Sequence, residues 1–195
     1  MKKIAYCIRK DYQNGGDGIQ AIKTRQKILE LFQDVYIDII DDPMCLNSSY
    51  SLAHIFNYST GNVTKAFFNR ALSLKIKIVS SPIFWDYSFS VMPLPLNFIF
   101  YKDFIHERYA LFHRILNLKI ANIRFKKIML VYYNISNAFR EDIKFFINHS
   151  LKVLPNSLEE WDKCLEFAGI STIENRNKAC VVYNGVDVDN VMIMD

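Results

Sequence analysis

The chain has 195 residues, 51% of them hydrophobic and 23% charged, and carries a net charge of +4. That composition excludes a disordered segment and suits one domain large enough to bury a sizeable core. The longest apolar run, Ser90 to Tyr101, is about twelve residues and holds Pro93 and Pro95, too short and too broken to cross a bilayer, so no transmembrane helix is expected.

Lys3 to Arg9 reads as a first strand, apolar on both faces as a central parallel strand should be, and its charged end Arg9-Lys10-Asp11 is not the pattern of a signal peptide. Asn14-Gly15-Gly16-Asp17-Gly18-Ile19-Gln20 follows, with three glycines in four positions. Such a loop lets a ligand approach the backbone, and a helix starting near Gly18 aims free N–H groups and its positive end at phosphate or carboxylate. A turn between strand and helix with no ligand, in which Asp17 only caps the helix, is the plain structural alternative. The spacing of Ile19, Ile22, Leu29 and Phe32 predicts the first helix, and Val35 to Ile40 a second strand closed by Asp41-Asp42-Pro43. Gly16-x-Gly18-x-x-Ala21 also fits the dinucleotide fingerprint loosely, with Asp41 or Asp42 placed to meet a ribose, although Lys10 to Gly15 intervene after the strand.

Leu52 to Asn57 is a third apolar run, Ser59 or Thr60 an N-cap, and Val63 to Leu74 a second helix ahead of a strand at Lys77 to Ser81. The order of strands and helices predicts an α/β, Rossmann-like, mainly parallel sheet with helices on both faces. Ile83 to Phe100, rich in aromatic residues and without a period, reads as a long loop or lid. A helix resumes from Tyr101 to about Leu118, Asn122 to Asn134 fits helix or strand, and Glu141 to His149 reads as helical. Lys152 to Pro155 is a short strand before Ser157-Leu158-Glu159-Glu160, a capping box, and Leu158, Trp161, Leu165 and Ala168 form an apolar stripe ended by Gly169. Ala179 to Tyr183 reads as a last buried strand.

Between Lys102 and Lys127 seven Lys or Arg stand against Asp103 and Glu107, a local +5 that leaves the remainder at −1. With its aromatic residues this segment suits an anionic membrane surface, or else a solvated helix face; nucleic acid is not expected, because no binding module accompanies the charge. Cys7, Cys45, Cys164 and Cys180 are widely spaced and read as reduced core thiols of a cytoplasmic protein, with no metal-ligand pattern.

Four stretches in order carry a resemblance: Gly15-Gly16-Asp17-Gly18-Ile19-Gln20 with Lys23-Thr24, His54-Ile55-Phe56-Asn57, Ser81-Pro82-Ile83-Phe84-Trp85-Asp86, and Leu154-Pro155-Asn156-Ser157 with Glu160 ahead of Asn184-Gly185-Val186-Asp187. The chain resembles the N-terminal half of retaining family 4 glycosyltransferases, which have the GT-B fold of two Rossmann-like domains. The resemblance implies sugar transfer from a nucleotide-sugar donor to a saccharide or lipid-linked acceptor, in surface polysaccharide or glycolipid synthesis, on the cytoplasmic side or peripherally at the membrane. It implies that Gly15, Gly16, Asp17 and Gly18 face the donor diphosphate; His54, Asn57, Trp85 and Asp86 are the acceptor-site candidates, Asp86 for holding an acceptor hydroxyl, while His54, inside an apolar strand, also fits a satisfied core residue and Trp85 an anchor of its loop to the core. Asn184, Gly185 and Asp187 look like the crossover to a second domain, giving a domain over 1–187 and a linker or tail over 188–195. The donor-binding domain is expected to be absent from this chain, which alone should show little or no transfer, and no resident cofactor is implied. The family often has a histidine where Ile83-Phe84-Trp85-Asp86 stands, an acidic residue at Ser51 and a proline at Tyr183; no general base is assigned. A nucleotide-cofactor (NAD-type) oxidoreductase using the glycine loop, and a non-catalytic sugar-binding or regulatory module, are the alternatives.

Overall fold

The computed structural model describes residues 2–84 and 138–183. The lid beyond Phe84, the helix expected from Tyr101 to about Leu118, the Asn122 to Asn134 segment read as helix or strand, the basic segment 102–127, Trp85, Asp86 and the crossover residues Asn184, Gly185 and Asp187 with the 188–195 tail lie outside them.

Five strands form one sheet, all parallel: β1 (Lys2–Cys7), β2 (Val35–Ile40), β3 (Leu52–Phe56), β4 (Lys77–Ser81) and β5 (Lys152–Val153), in the order β2-β1-β3-β4-β5. Helix α1 (Gly16–Leu31) joins β1 to β2, and α2 (Gly61–Ser73) joins β3 to β4. A third helix, α3, covers 138–149, and α4 (Leu158–Ala168) and the short α5 (Thr172–Asn175) follow β5. The α/β, Rossmann-like expectation holds.

The chain leaves β1 toward β2 and leaves β3 in the opposite direction, so right-handed crossovers put α1 and α2 on opposite faces. Two clusters follow from the pleat. On the α1 face Tyr6, Ile8, Ile37 and Phe56 pack with Ala21. On the other face Ala5, Cys7, Ala53, Ile55 and Ile78 pack under α2, α3 and α4 through residues such as Phe67, Phe146 and Trp161. Doubly wound sheets of this order have their crevice between the carboxyl ends of β1 and β3, where the winding reverses.

Several local readings change. The first helix begins at Gly16, two residues before Gly18, and its buried apolar side chain is Ala21, while Ile19 is 52% exposed and Phe32, at the C-cap, is 51% exposed. The stripe expected on Ile19 and Phe32 fails because the helix face against the sheet is set by the small residue that lets α1 lie close. Asp17 sits within the first turn, and Gly15 takes the N-cap. Residues 179–182 run alongside β5 through a parallel Val153–Ala179 bridge, with Cys180 N–H donating to Val153 and Val182 N–H to Pro155. This segment is not a buried strand, since Cys180, Val182 and Tyr183 are exposed at the sheet's rim. Cys7 and Cys164 are core thiols as expected, whereas Cys45 and Cys180 are exposed.

In α4 the capping box forms. Ser157 Oγ accepts from the Glu160 N–H at 3.0 Å, and Gly169 ends the helix at φ 65°, a left-handed conformation that glycine adopts without a Cβ clash. Of the apolar stripe, Trp161, Leu165 and Ala168 are buried and Leu158 is half exposed at the first turn.

Gly18 is fixed by packing. A Cβ there would stand 1.8 Å from the Tyr12 carbonyl oxygen, backbone of the short 3-10 turn Tyr12–Asn14, whereas one at Gly16 would meet nothing within 4 Å. Gly18→Ala is therefore expected to cost about 2–3 kcal/mol, while Gly16→Ala, at a helical position, is neutral or stabilising by up to about 1 kcal/mol. Urea denaturation of the two variants checks both signs.

Candidate functional site

The crevice at the carboxyl ends of β1 and β3 is built around Arg9, two residues beyond β1, and Asp17, in the first turn of α1. Arg9 Nε and Nη2 donate to the two Asp17 oxygens at 3.0 and 3.1 Å, a fork that matches the planar carboxylate, and Arg9 Nη1 pairs with Asp11. Asn57 Nδ2 donates to the same Asp17 carboxylate at 3.0 Å from the end of β3. Arg9 and Asp17 are both buried, with side chains 8% and 5% exposed.

The electrostatics follow from those contacts. Burial opposes ionisation of Asp17, but the Arg9 and Asn57 bonds, the Arg9 charge and the Gly18 amide outweigh it and hold the carboxyl below its ordinary range. Burial likewise opposes charge on Arg9; the bonds and charges of Asp17 and then Asp11 prevail, and the guanidinium is raised above its usual value. Both groups are therefore ionised across the working pH range.

Asn57 is strained and fully engaged. Its φ is 65°, left-handed for a residue other than glycine. Its Oδ1 accepts from Ser59 N–H at 2.9 Å, its own N–H donates to the Ser81 carbonyl, and its carbonyl accepts from the Thr60 and Thr64 hydroxyls at 3.0 and 2.6 Å. Thr60 takes the N-cap position of α2 without a side-chain cap, because its hydroxyl is spent here. One strand over, Ile83 has φ 42° just after β4. A β-branched residue there is an outlier costing roughly 1–3 kcal/mol, and such positions cluster where ligands are held.

His54 lies on the α1 face of β3, stacked on Phe56 at 4.0 Å and edge-on to Tyr6 at 5.0 Å, with Nε2 2.8 Å from Ser81 Oγ. Burial pushes its pKa down to about 3, so the ring is neutral and acts as a polar link between β3 and β4.

The β5–α4 loop reaches the same edge of the sheet. Gln20 Nε2 on α1 donates to Asn156 Oδ1 at 3.0 Å, joining residues 136 positions apart. Glu160 accepts the backbone N–H of Phe84, at 2.6 Å, and of Asn156, and so ties the exit of β4 to the start of α4. Burial raises the Glu160 pKa, and the amides of Asn156, Phe84 and Ser157 offset only part of that.

Among the residues expected at the site, the glycine loop, Asp17, His54 and Asn57 meet at this edge. Trp85 and Asp86 lie outside the described residues. Sequence reasoning missed Arg9, the only charged group here that touches two carboxylates among the described contacts, and gave no role to the Gln20–Asn156 pair. The signal for Arg9 was present: a cation just after an apolar strand must find an anion or stay in water. Among the described residues no group of His, Cys, Asp or Glu could hold a metal ion. No helix among them is long and apolar enough to cross a membrane. No family model matches the chain, and no curated protein matches it.

Two outcomes follow. Arg9→Met leaves Asp17 buried without its fork and is expected to destabilise the fold by about 3–5 kcal/mol, and adding Asp17→Asn should recover at least ~1 kcal/mol of that; a double-mutant cycle in urea measures it. His54 in the folded chain binds its proton only near pH 3, against an ordinary 6.5, so the unfolded chain holds more protons in between. Its contribution is complete above pH 6.5 and is lost as pH falls toward 3, and His54→Gln should remove a slope of up to about 1.4 kcal/mol per pH unit, read from unfolding at pH 5.0 and 6.5.

Proposed function

We propose that this chain is the acceptor-side domain of a GT-B, retaining, family 4-like glycosyltransferase, acting with a second domain or subunit that binds the nucleotide-sugar. The observation that carries the reading is positional. Stretches that resemble the family, lying far apart in the chain, reach one edge of the sheet: the glycine loop and Gln20 from α1, His54 to Asn57 from β3, Ser81 to Phe84 from β4, and Asn156 with Glu160 from the β5–α4 loop. Ligands of doubly wound sheets bind outside that edge.

In this reading the crevice offers hydroxyl-matching groups, the Gln20 and Asn156 amides and the Asp11 carboxylate, to a saccharide or lipid-linked acceptor. Departure of a nucleotide diphosphate needs cationic groups around its growing charge. Arg9 is committed to Asp11 and Asp17, so those groups come from the donor-binding partner. The basic segment 102–127 would hold the enzyme against an anionic membrane from the cytoplasmic side, close to a lipid-linked acceptor.

An NAD-type oxidoreductase has less support. A 3-10 turn at Tyr12–Asn14 separates β1 from α1 where the fingerprint should follow the strand at once, and one oxygen of the Asp42 carboxylate is taken up in capping Pro43–Cys45, accepting from Met44 N–H at 2.9 Å. A non-catalytic sugar-binding module would share the acceptor contacts and differ only in turnover with a donor-binding partner.

NMR titration of the full chain with N-acetylglucosamine, galactose and maltose, with NAD as the comparison, tests the reading. At least one sugar is expected to shift the Gln20 and Asn156 side-chain amides saturably, and Asn156→Ala to weaken it by about 2- to 10-fold, the loss of one hydrogen bond. Silence toward all sugars together with saturable NAD shifts overturns the assignment.

A further inference from the structure

The donors at the start of α1 form an anion cradle: the Arg9 fork and the Asn57 side-chain amide converge on one carboxylate. That carboxylate belongs to the chain itself. We infer that Asp17 is the built-in occupant of the anion position at this helix N-terminus and a specificity-determining residue, closing the glycine loop to phosphate and leaving the crevice to uncharged, hydroxyl-bearing ligands.

The positive end of a helix and a guanidinium attract whatever anion can reach both. Here Asp17 reaches both without leaving its backbone, so a free phosphate competes with a tethered group whose local concentration is far above any solution value. The competitor would also have to enter a place where both partners are buried. Charge points the same way. Arg9 with Asp11 and Asp17 carries a net −1, and Asp11, half exposed, faces any ligand that approaches from solvent. Gly15 leaves no room either, since a Cβ there would stand 2.0 Å from Arg9 Nη2 and 2.5 Å from Asp17 Oδ1. This inference replaces the diphosphate-facing role expected for Gly15 to Gly18. It goes beyond the sugar-transfer reading and does not depend on it, because it concerns which ligand charge the loop accepts and not what the protein catalyses.

The test is titration of the full chain with inorganic pyrophosphate, followed at the backbone amides of Gly15, Gly16 and Gly18 and matched in ionic strength with sodium chloride. In the native chain these amides are expected not to shift. In Asp17→Ala, which vacates the cradle and keeps a good helix former, they should shift saturably, and pyrophosphate at about ten times its dissociation constant should raise the melting temperature by roughly 3 °C or more above its effect on the native chain. Arg9→Met added to Asp17→Ala should abolish both responses. Saturable glycine shifts in the native chain overturn the inference, as does a folded Asp17→Ala that stays silent. If Asp17→Ala does not fold, the native titration still decides, and rescue of its folding by pyrophosphate would count in favour. Pyrophosphate and sugar are separate probes, so failure here leaves the acceptor reading standing and the reverse also holds.

Discussion

The structure depends on one buried ion pair. Removing either charge from water costs several kcal/mol unless its partner is in place, so Arg9 and Asp17 impose a joint condition on three parts of the chain. The end of β1 must deliver Arg9, the first turn of α1 must deliver Asp17, and the end of β3 must deliver Asn57. None of these can shift alone without stranding a polar group. The pair therefore fixes the place where the sheet's winding reverses, and the position of the crevice follows from it.

Around that pair the edge is held by polar side chains bonded to backbone rather than by apolar packing. Glu160 takes two amides from separate loops, and Asn57 uses its side-chain and backbone groups while sitting at a positive φ. Such bonds define geometry more sharply than hydrophobic contact does, because they depend on direction as well as distance. His54 belongs to the same design. A neutral imidazole between two aromatic rings and a serine contributes shape and one hydrogen bond, which suits a support for the crevice wall better than a group that exchanges protons at neutral pH.

Much of the fold was legible because its signals are local. The runs Val35 to Ile40 and Lys77 to Ser81 are strands over those same residues, and the Ser157–Glu160 capping box sits where its pattern places it. What the sequence hid was set by distant partners. Ile19 matches a helical stripe but is exposed, since the face of α1 is chosen by how closely Ala21 can approach the sheet. The segment 179–182 has the composition of an interior strand, yet it lies at the rim, because burial depends on what packs above it. The glycine loop was visible as a loop, but its occupant was not: no local rule links the Asp17 carboxylate to a guanidinium eight positions before it and an amide 40 positions on.

A final consequence comes from the hydroxyl relay in the core, where Tyr58 bonds Ser80 and Ser80 bonds Ser150 at 2.6 and 2.7 Å. The last link joins β4 to a residue 70 positions later, so β5 can dock only after a long stretch of chain has closed on itself. Lengthening that loop adds little to its entropic cost, about 0.6 kcal/mol per doubling, but pairing across such a distance slows the search. During synthesis, then, β1 to β4 would emerge and assemble with one edge bare. The Ser80 hydroxyl, bonded to Tyr58, takes up Ser150 when that later stretch of chain arrives, just ahead of the strand that completes the edge.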